Sequence, residues 1–332
     1  MGVKKAQEPA LCRFVWSTQN GIEPKLRSGV ANSDIVKSYL ALLCMGKSDF
    51  DAIEGFRGNV LFKCALGLGS MASSPTLHQR MDTHAPSWFD LAAQVNQLLL
   101  SLSINGRPID FGTLACGYTP LDLDTFAMDN GGTKKELVGR TYAGVDGYCP
   151  AALYLGSLGY CLELVGVGSA AYPPRRIYRL TERTIDKHGN ALLLPQYVLE
   201  GWTTTLPQQF DCAQVIALYC DHATNEQFHS EFKTDMDLQR LPSGKFNTNY
   251  LVCQLAAVAM NLLRLIGQNT LNEPDAPVRH AAKRRRIKTV MQQLMFKAAR
   301  MIKHAGRWVL GLGHSETAFA VFERHYAQLG SA

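Results

Sequence analysis

The 332-residue chain reads as a mixed α/β protein. Three observations carry that class. Apolar residues recur at helical spacing through residues 32–102 and again through 249–267. Between those stretches the period falls to two at Leu121-Asp122-Leu123-Asp124, and strand-like runs separated by glycines follow. A run without Gly or Pro, residues 212–218, then leads into the polar stretch YCDHATNEQFHSEFK, residues 219–233, which also has helical spacing.

Residues 1–30 read as an extended arm. From Asn32 a helix is expected, with Asn32 or Ser33 as its cap and Ile35, Tyr39, Leu42 and Leu43 as its apolar stripe. Short helices are expected to start at Ser48-Asp49 and to cover residues 60–66. Ser73-Ser74-Pro75-Thr76 opens another helix, and residues 87–102 form a separate, longer amphipathic helix linking two domains. Several short helices ending in a capped one resemble a helix-turn-helix module over residues 31–104, in which Thr76, His78, Gln79 and Arg80 face DNA. A plain helical bundle with no ligand is the alternative.

Residues 117–126, 147–155 and 160–165 read as three antiparallel strands, the first with Asp122 and Asp124 on one face. Gly166, Gly168 and Ala171 match a dinucleotide fingerprint in spacing, but Pro173 and Pro174 prevent the helix it needs. The similar Gly67, Gly69 and Ala72 follow a helix and fail too. Residues 176–184 and 192–206 read as strands joined by the turn Lys187-His188-Gly189-Asn190. Residues 249–267 form an apolar helix. Residues 276–315 contain no acidic side chain and read as a basic helical region. The cluster Lys283, Arg284, Arg285, Arg286 and Lys288 is expected to contact phosphates, with a basic connector as the alternative.

Composition limits the function classes. A hydrophobic content of 46% permits a sizeable core, and a net charge of +6 with pI about 8.8 permits a polyanionic partner. Nine cysteines with no C-x-x-C pair point to reduced thiols in a cytoplasmic protein. The first residues lack the apolar segment of a signal peptide. The longest apolar run, residues 251–266, is broken by Gln254, Asn261 and Arg264, so a core helix is expected there and not a membrane span.

The chemistry centres on residues 219–233. At about 100° per residue, Tyr219, His222, Glu226, Ser230 and Lys233 share a helix face, and Leu218, Phe228, Phe232 and Met236 lie opposite. A carboxylate among a phenol, an imidazole and an ammonium suits phosphate chemistry, where the acid holds a metal and the others hold the backbone. His222, Glu226 and His229 also have the spacing of a zinc or iron site. The di-iron form of that site needs a second Glu-x-x-His, and none lies on a suitable helix.

Tyr219-x2-His222-x3-Glu226-x6-Lys233 resembles the Tyr-x2-Arg-x3-Glu-x6-Lys signature of bacterial insertion-sequence transposases of the DDE superfamily, with His222 in place of the arginine. Leu241-Pro242-Ser243-Gly244-Lys245-Phe246, Thr248-Asn249-x-Leu251 and the Asp124-Thr125 pair are similar to that family as well. The resemblance covers nearly the whole chain. It implies a ribonuclease-H-like core built from residues 105–171, a remnant of a β insertion at 172–206, and the Glu-bearing helix with the basic region at 207–332. It implies Asp124 and Glu226 as catalytic metal ligands and two Mg2+ ions. Tyr219, His222 and Lys233 would position phosphates of the transposon end. Histidine for arginine replaces a permanent bidentate charge by a pH-sensitive one. Double-stranded DNA is the implied partner, with a homodimer assembled on it in the nucleoid. The family's second Asp stands in an Asp-Ser-Gly-Phe setting on a central strand, which this chain lacks. An internal deletion is therefore expected, with DNA binding retained and strand cleavage impaired.

Overall fold

The computed structural model describes residues 29–104, 107–114, 117–165, 175–204, 209–221, 225–271, 282, 284–297, 299–304, 307–312, 319–321 and 324. Nearly all of the expected N-terminal arm, the glycine run at 166–171, His222 and Lys283 lie outside the described residues. The chain mixes helix and sheet. It divides into two compact units: residues 1–166 with 227–332, and residues 167–226.

In the larger unit, α1 (Asn32–Cys44) buries Ile35, Val36, Tyr39, Leu42 and Leu43, the stripe its periodicity sets. The helix starts one residue earlier than either expected cap allows. Ala31 occupies the cap position, and the Asn32 carboxamide instead accepts from Arg80 Nη1 at 2.8 Å. A 3-10 turn (Phe50–Phe56) starts at Asp49, whose side chain accepts from the Asp51 N–H at 2.9 Å. Helix α2 (Val60–Ala65) is capped by Asn59.

The two helices expected on either side of residue 86 are one, α3 (Ser74–Leu100), with Pro86 inside it. An interior proline costs about 3 kcal/mol in a helix. Leu77, Met81, Ala85, Trp88, Leu91, Ala92, Val95 and Leu99 are nevertheless buried in one stripe that keeps its phase across Pro86. Burial of that stripe outweighs the local penalty. The helix belongs to the core of this unit and is not a linker.

The strands β1 (Ser103–Ile104) and β2 (Arg107–Pro108) pair with each other. Next come β3 (Leu121–Thr125), β4 (Met128–Asp129), β5 (Gly139–Arg140), β6 (Asp146–Tyr148), β7 (Ala151–Leu155) and β8 (Tyr160–Val165). They form two antiparallel sheets, in the orders β3-β7-β8 and β4-β6-β5. The single strand expected over 147–155 is therefore two strands in different sheets. Pro150 lies between them, and having no N–H it cannot extend a ladder; its carbonyl accepts from Phe126 N at 3.2 Å.

In the smaller unit, β9 (Arg175–Ile185) and β10 (Ala191–Thr204) form the expected hairpin. Asp186 Oδ1 accepts from the N–H groups of His188 and Asn190 at 2.8 and 2.9 Å, and Gly189 takes φ 87°. Helix α4 (Cys212–Asp221) follows.

Helix α5 (Asn225–Ser230) continues into a π-turn (Glu231–Asp235), and then comes α6 (Phe246–Thr270). By length and composition α6 could cross a membrane, but 83% of its most apolar window is buried inside the protein, as a core helix requires. Its polar interruptions have partners. Asn261 accepts from Cys161 N at 2.9 Å and donates to Cys161 O at 2.7 Å, and Gln254 donates to Leu164 O at 2.6 Å. With Asn96 of α3, which donates to the carbonyls of Cys161 and Leu162, these amides bond to the β8 backbone. The opposite edge of that sheet is different. Among the described residues no strand pairs with the second edge of β3, and Leu121 and Leu123 are 58% and 66% exposed.

The described part of residues 284–312 is not the helical extension expected from the sequence. A short α7 (Ile287–Val290) passes through a second π-turn (Met291–Met295) into a hairpin of β11 (Ala299–His304) and β12 (Arg307–Leu312). Ile302, Trp308 and Val309 favour strands, and Gly306 separates two short runs, a turn signal obscured by the density of basic residues.

Candidate functional site

Asp124 lies opposite Ala152 in the β3–β7 ladder, on the same sheet face as the neighbouring pair position Tyr154. Its Oδ1 accepts from the Thr125 N–H at 2.7 Å, and its Oδ2 lies 3.9 Å from His229 Nδ1. The carboxylate is half exposed, whereas His229 is buried. The imidazole stacks on Phe126, with ring centroids 4.6 Å apart, and packs against Tyr154 at 5.6 Å. Phe228 and Phe232 complete the apolar floor, both fully buried, as the stripe of this helix predicts. His229 is three residues beyond Glu226, one turn along α5. The sequence marked His229 only as a possible metal ligand; the resemblance paired the Asp124 strand with the Glu226 helix, and the i, i+3 spacing from Glu226 was the signal for His229, which that reading did not place beside Asp124.

Glu226 is exposed in the first turn of α5 and, with Tyr219, belongs to the smaller unit. Tyr219 is exposed and meets Trp202 edge-on, with ring centroids 6.4 Å apart. Lys233 falls in the π-turn of the larger unit, where Met236 N bonds back to Glu231 O at 3.0 Å. One residue is added to that turn, so a uniform 100° step does not carry the expected face from Glu226 to Lys233.

Next to this helix is a buried ion cluster that sequence reading assigned to DNA. Glu231 is fully buried and bonded by two arginines: Arg264 Nη2 at 2.5 Å and Arg284 Nη1. Arg284 also donates to Gln227 Oε1 at 2.8 Å. Its guanidinium carbon lies 4.8 Å from the centroid of the Phe228 ring, and that of Arg264 lies 5.4 Å away. Arg285 is buried and donates to Leu271 O at 3.0 Å. Arg286 grips Asp235 through Nε at 2.6 Å and Nη2 at 2.9 Å, and reaches Ser230 Oγ at 3.0 Å. Burial lowers the pKa of Arg284, with Glu231 opposing, while the bond to Asp235 raises that of Arg286. These three side chains are thus held by the protein's own acids and carbonyls, because α7 packs against the π-turn that carries Glu231 and Asp235. Lys288 alone of the described cluster lacks such an anchor and is exposed.

The helix-turn-helix residues divide similarly. The Thr76 hydroxyl bonds with Ser73 Oγ at 2.9 Å. His78 stacks on Phe50 at 4.9 Å and faces the Asp82 carboxylate at 3.4 Å. Arg80 holds Asn32, and Gln79 is exposed. The Leu241–Phe246 motif has a structural use as well. Ser243 Oγ and Thr248 Oγ1 both donate to Asp82, at 2.9 and 2.6 Å. Glu136 accepts from the Phe246 N–H at 3.0 Å and pairs with Lys245 at 3.1 Å, closing the N-terminus of α6.

A two-metal clamp for phosphate chemistry uses three carboxylates. Asp124 has one oxygen directed at the Thr125 N–H and the other toward an imidazole, and among the described residues no group of three or more His, Cys, Asp or Glu side chains is arranged to hold a metal. The described donors do not supply that clamp. No protein-family model, curated protein or solved structure matches the chain.

Proposed function

We propose that the chain is a derivative of an insertion-sequence DDE transposase that binds duplex DNA and is defective in Mg2+-dependent strand cleavage and strand transfer. One observation carries the reading: the sequence spacing Tyr219-x2-His222-x3-Glu226-x6-Lys233 spans α5, whose His229 approaches Asp124, the acid of the Asp-Thr pair. Strand and helix are those on which the family carries its first and third acids. The exposed positions of Tyr219 and Glu226 suit contact with a large ligand. In this reading Asp124 and Glu226 are the remaining acids of a two-Mg2+ site, Tyr219, His222 and Lys233 hold phosphates, and a homodimer assembles on the DNA in the cytoplasm. The edge of β3, which no strand among the described residues pairs, supports the loss of a neighbouring strand, and with it the second Asp.

The test is a Mg2+-dependent nicking assay on DNA carrying the element's own ends, with Glu226→Gln as the blank, alongside a binding assay on the same duplex. Binding without cleavage above the blank is expected. Efficient cleavage would show that a third carboxylate is present, and failure to bind duplex DNA would remove the reading altogether.

A further inference from the structure

The buried charges around Phe228 do not cancel. Glu231 contributes one negative charge, and Arg264 and Arg284 contribute two positive ones; Arg264 and Glu231 are completely shielded and Arg284 nearly so. The adjacent Asp235 and Arg286 neutralise each other. Tyr154, Tyr160 and Cys161 add no negative charge: burial, opposed in part by Arg264, raises the pKa of all three and keeps them protonated. Asp124 is half exposed and engaged with Thr125 and His229.

The donors do not balance either. Arg264 spends Nη2 on Glu231, but its Nε and Nη1 are buried and meet no acceptor among the described residues. The Tyr154 hydroxyl is likewise buried without a partner. Tyr154 and Arg264 both pack against Phe228, with 5.0 Å between the Tyr154 and Phe228 ring centroids. Buried polar groups are almost always satisfied, and an uncompensated buried charge is strongly destabilising. A water molecule would accept from the Arg264 donors and could donate to the Tyr154 hydroxyl oxygen, but it would leave the net charge. An anion is acceptor-only and cancels the charge.

We propose that the core of the larger unit binds a small monovalent anion, of the charge and size of chloride, between Arg264 Nε and Nη1 and the Tyr154 hydroxyl. The site is independent of DNA binding, so either reading stands if the other fails. It is tested on the full chain by thermal unfolding at constant ionic strength while gluconate is replaced by chloride or bromide. The midpoint is expected to rise saturably with either halide. Tyr154→Phe should weaken the apparent halide affinity about tenfold, and Arg264→Met should abolish the dependence. Crystals grown in bromide should show an anomalous peak within hydrogen-bond reach of Arg264 Nε. If Arg264→Met does not fold, Tyr154→Phe and the bromide peak decide. A wild-type midpoint indifferent to halide, a non-saturating rise shared equally by Tyr154→Phe, or a site without bromide would overturn the proposal.

Discussion

A carboxylate removed from water between two guanidinium groups has lost its hydration and depends on both partners. Glu231 is in that position, bonded to Arg264 and Arg284 with no exposed surface. Glu231→Gln removes the charge that holds the two cations and is expected to destabilise the protein by about 3–5 kcal/mol, read from urea unfolding. Glu226 is exposed, so Glu226→Gln should change stability by no more than about 0.5 kcal/mol. Equal effects of the two substitutions would show that Glu231 is not the keystone of this cluster. The contrast separates the acid that shapes the helix from the acid proposed for chemistry, only five residues earlier in the chain.

At the scale of elements, one terminus and one edge carry testable consequences. Glu136 accepts from the first N–H of α6 and pairs with Lys245, and these bonds, the backbone one first, hold its pKa below the ordinary glutamate value of 4.5. A depressed folded pKa means that the carboxylate's stabilisation is fully present above the unfolded value. It is lost as pH falls through the lower folded value. Glu136→Gln should therefore flatten the acid side of the stability–pH profile below about pH 4.5 and leave its neutral slope unchanged; a parallel shift at all pH values would assign the effect to something other than titration. The edge of β3 presents Leu121 and Leu123 to solvent without a pairing strand among the described residues. Such edges template association. Leu123→Lys should lower self-association measured by light scattering at constant stability, and unchanged scattering would show that this edge is not the sticky one.

At the scale of the whole molecule, the anchoring of Arg284, Arg285 and Arg286 changes which cations count in the proposed DNA binding. Lys288 is exposed and available to phosphate. Lys288→Ala should reduce the slope of log affinity against log salt by about 0.9, one phosphate contact, with no change in the unfolding midpoint. Arg284→Ala should do the reverse, lowering stability with the salt slope intact in the folded fraction. A triple alanine substitution of Arg284, Arg285 and Arg286 that flattened the slope while leaving stability untouched would restore these residues to the DNA interface.

The sequence by itself determined the elements whose residues interact with near neighbours. The stripe of α1, the Asp49-capped turn, the β9–β10 hairpin with its Asp186 and Gly189 turn, and the buried course of α6 all follow from periodicity, caps and turn chemistry. Tertiary structure decided what depends on distant partners. Pro86 stays inside one helix because the stripe on both sides of it is buried. Asn32 accepts from the distant Arg80, and Ala31 holds the cap position of its helix. The C-terminal basic run forms a hairpin after α7, and before α7 its Arg284, Arg286 and Arg285 bond to Glu231, Asp235 and the Leu271 carbonyl. The spacing of residues 219–233 singled out a stretch of polar residues, but only folding placed His229 beside Asp124, about a hundred positions earlier. The physical reason is the range of the forces. Helical phase and turns are set within a few residues, whereas the partner of a charge is whichever opposite charge the packed core brings within reach.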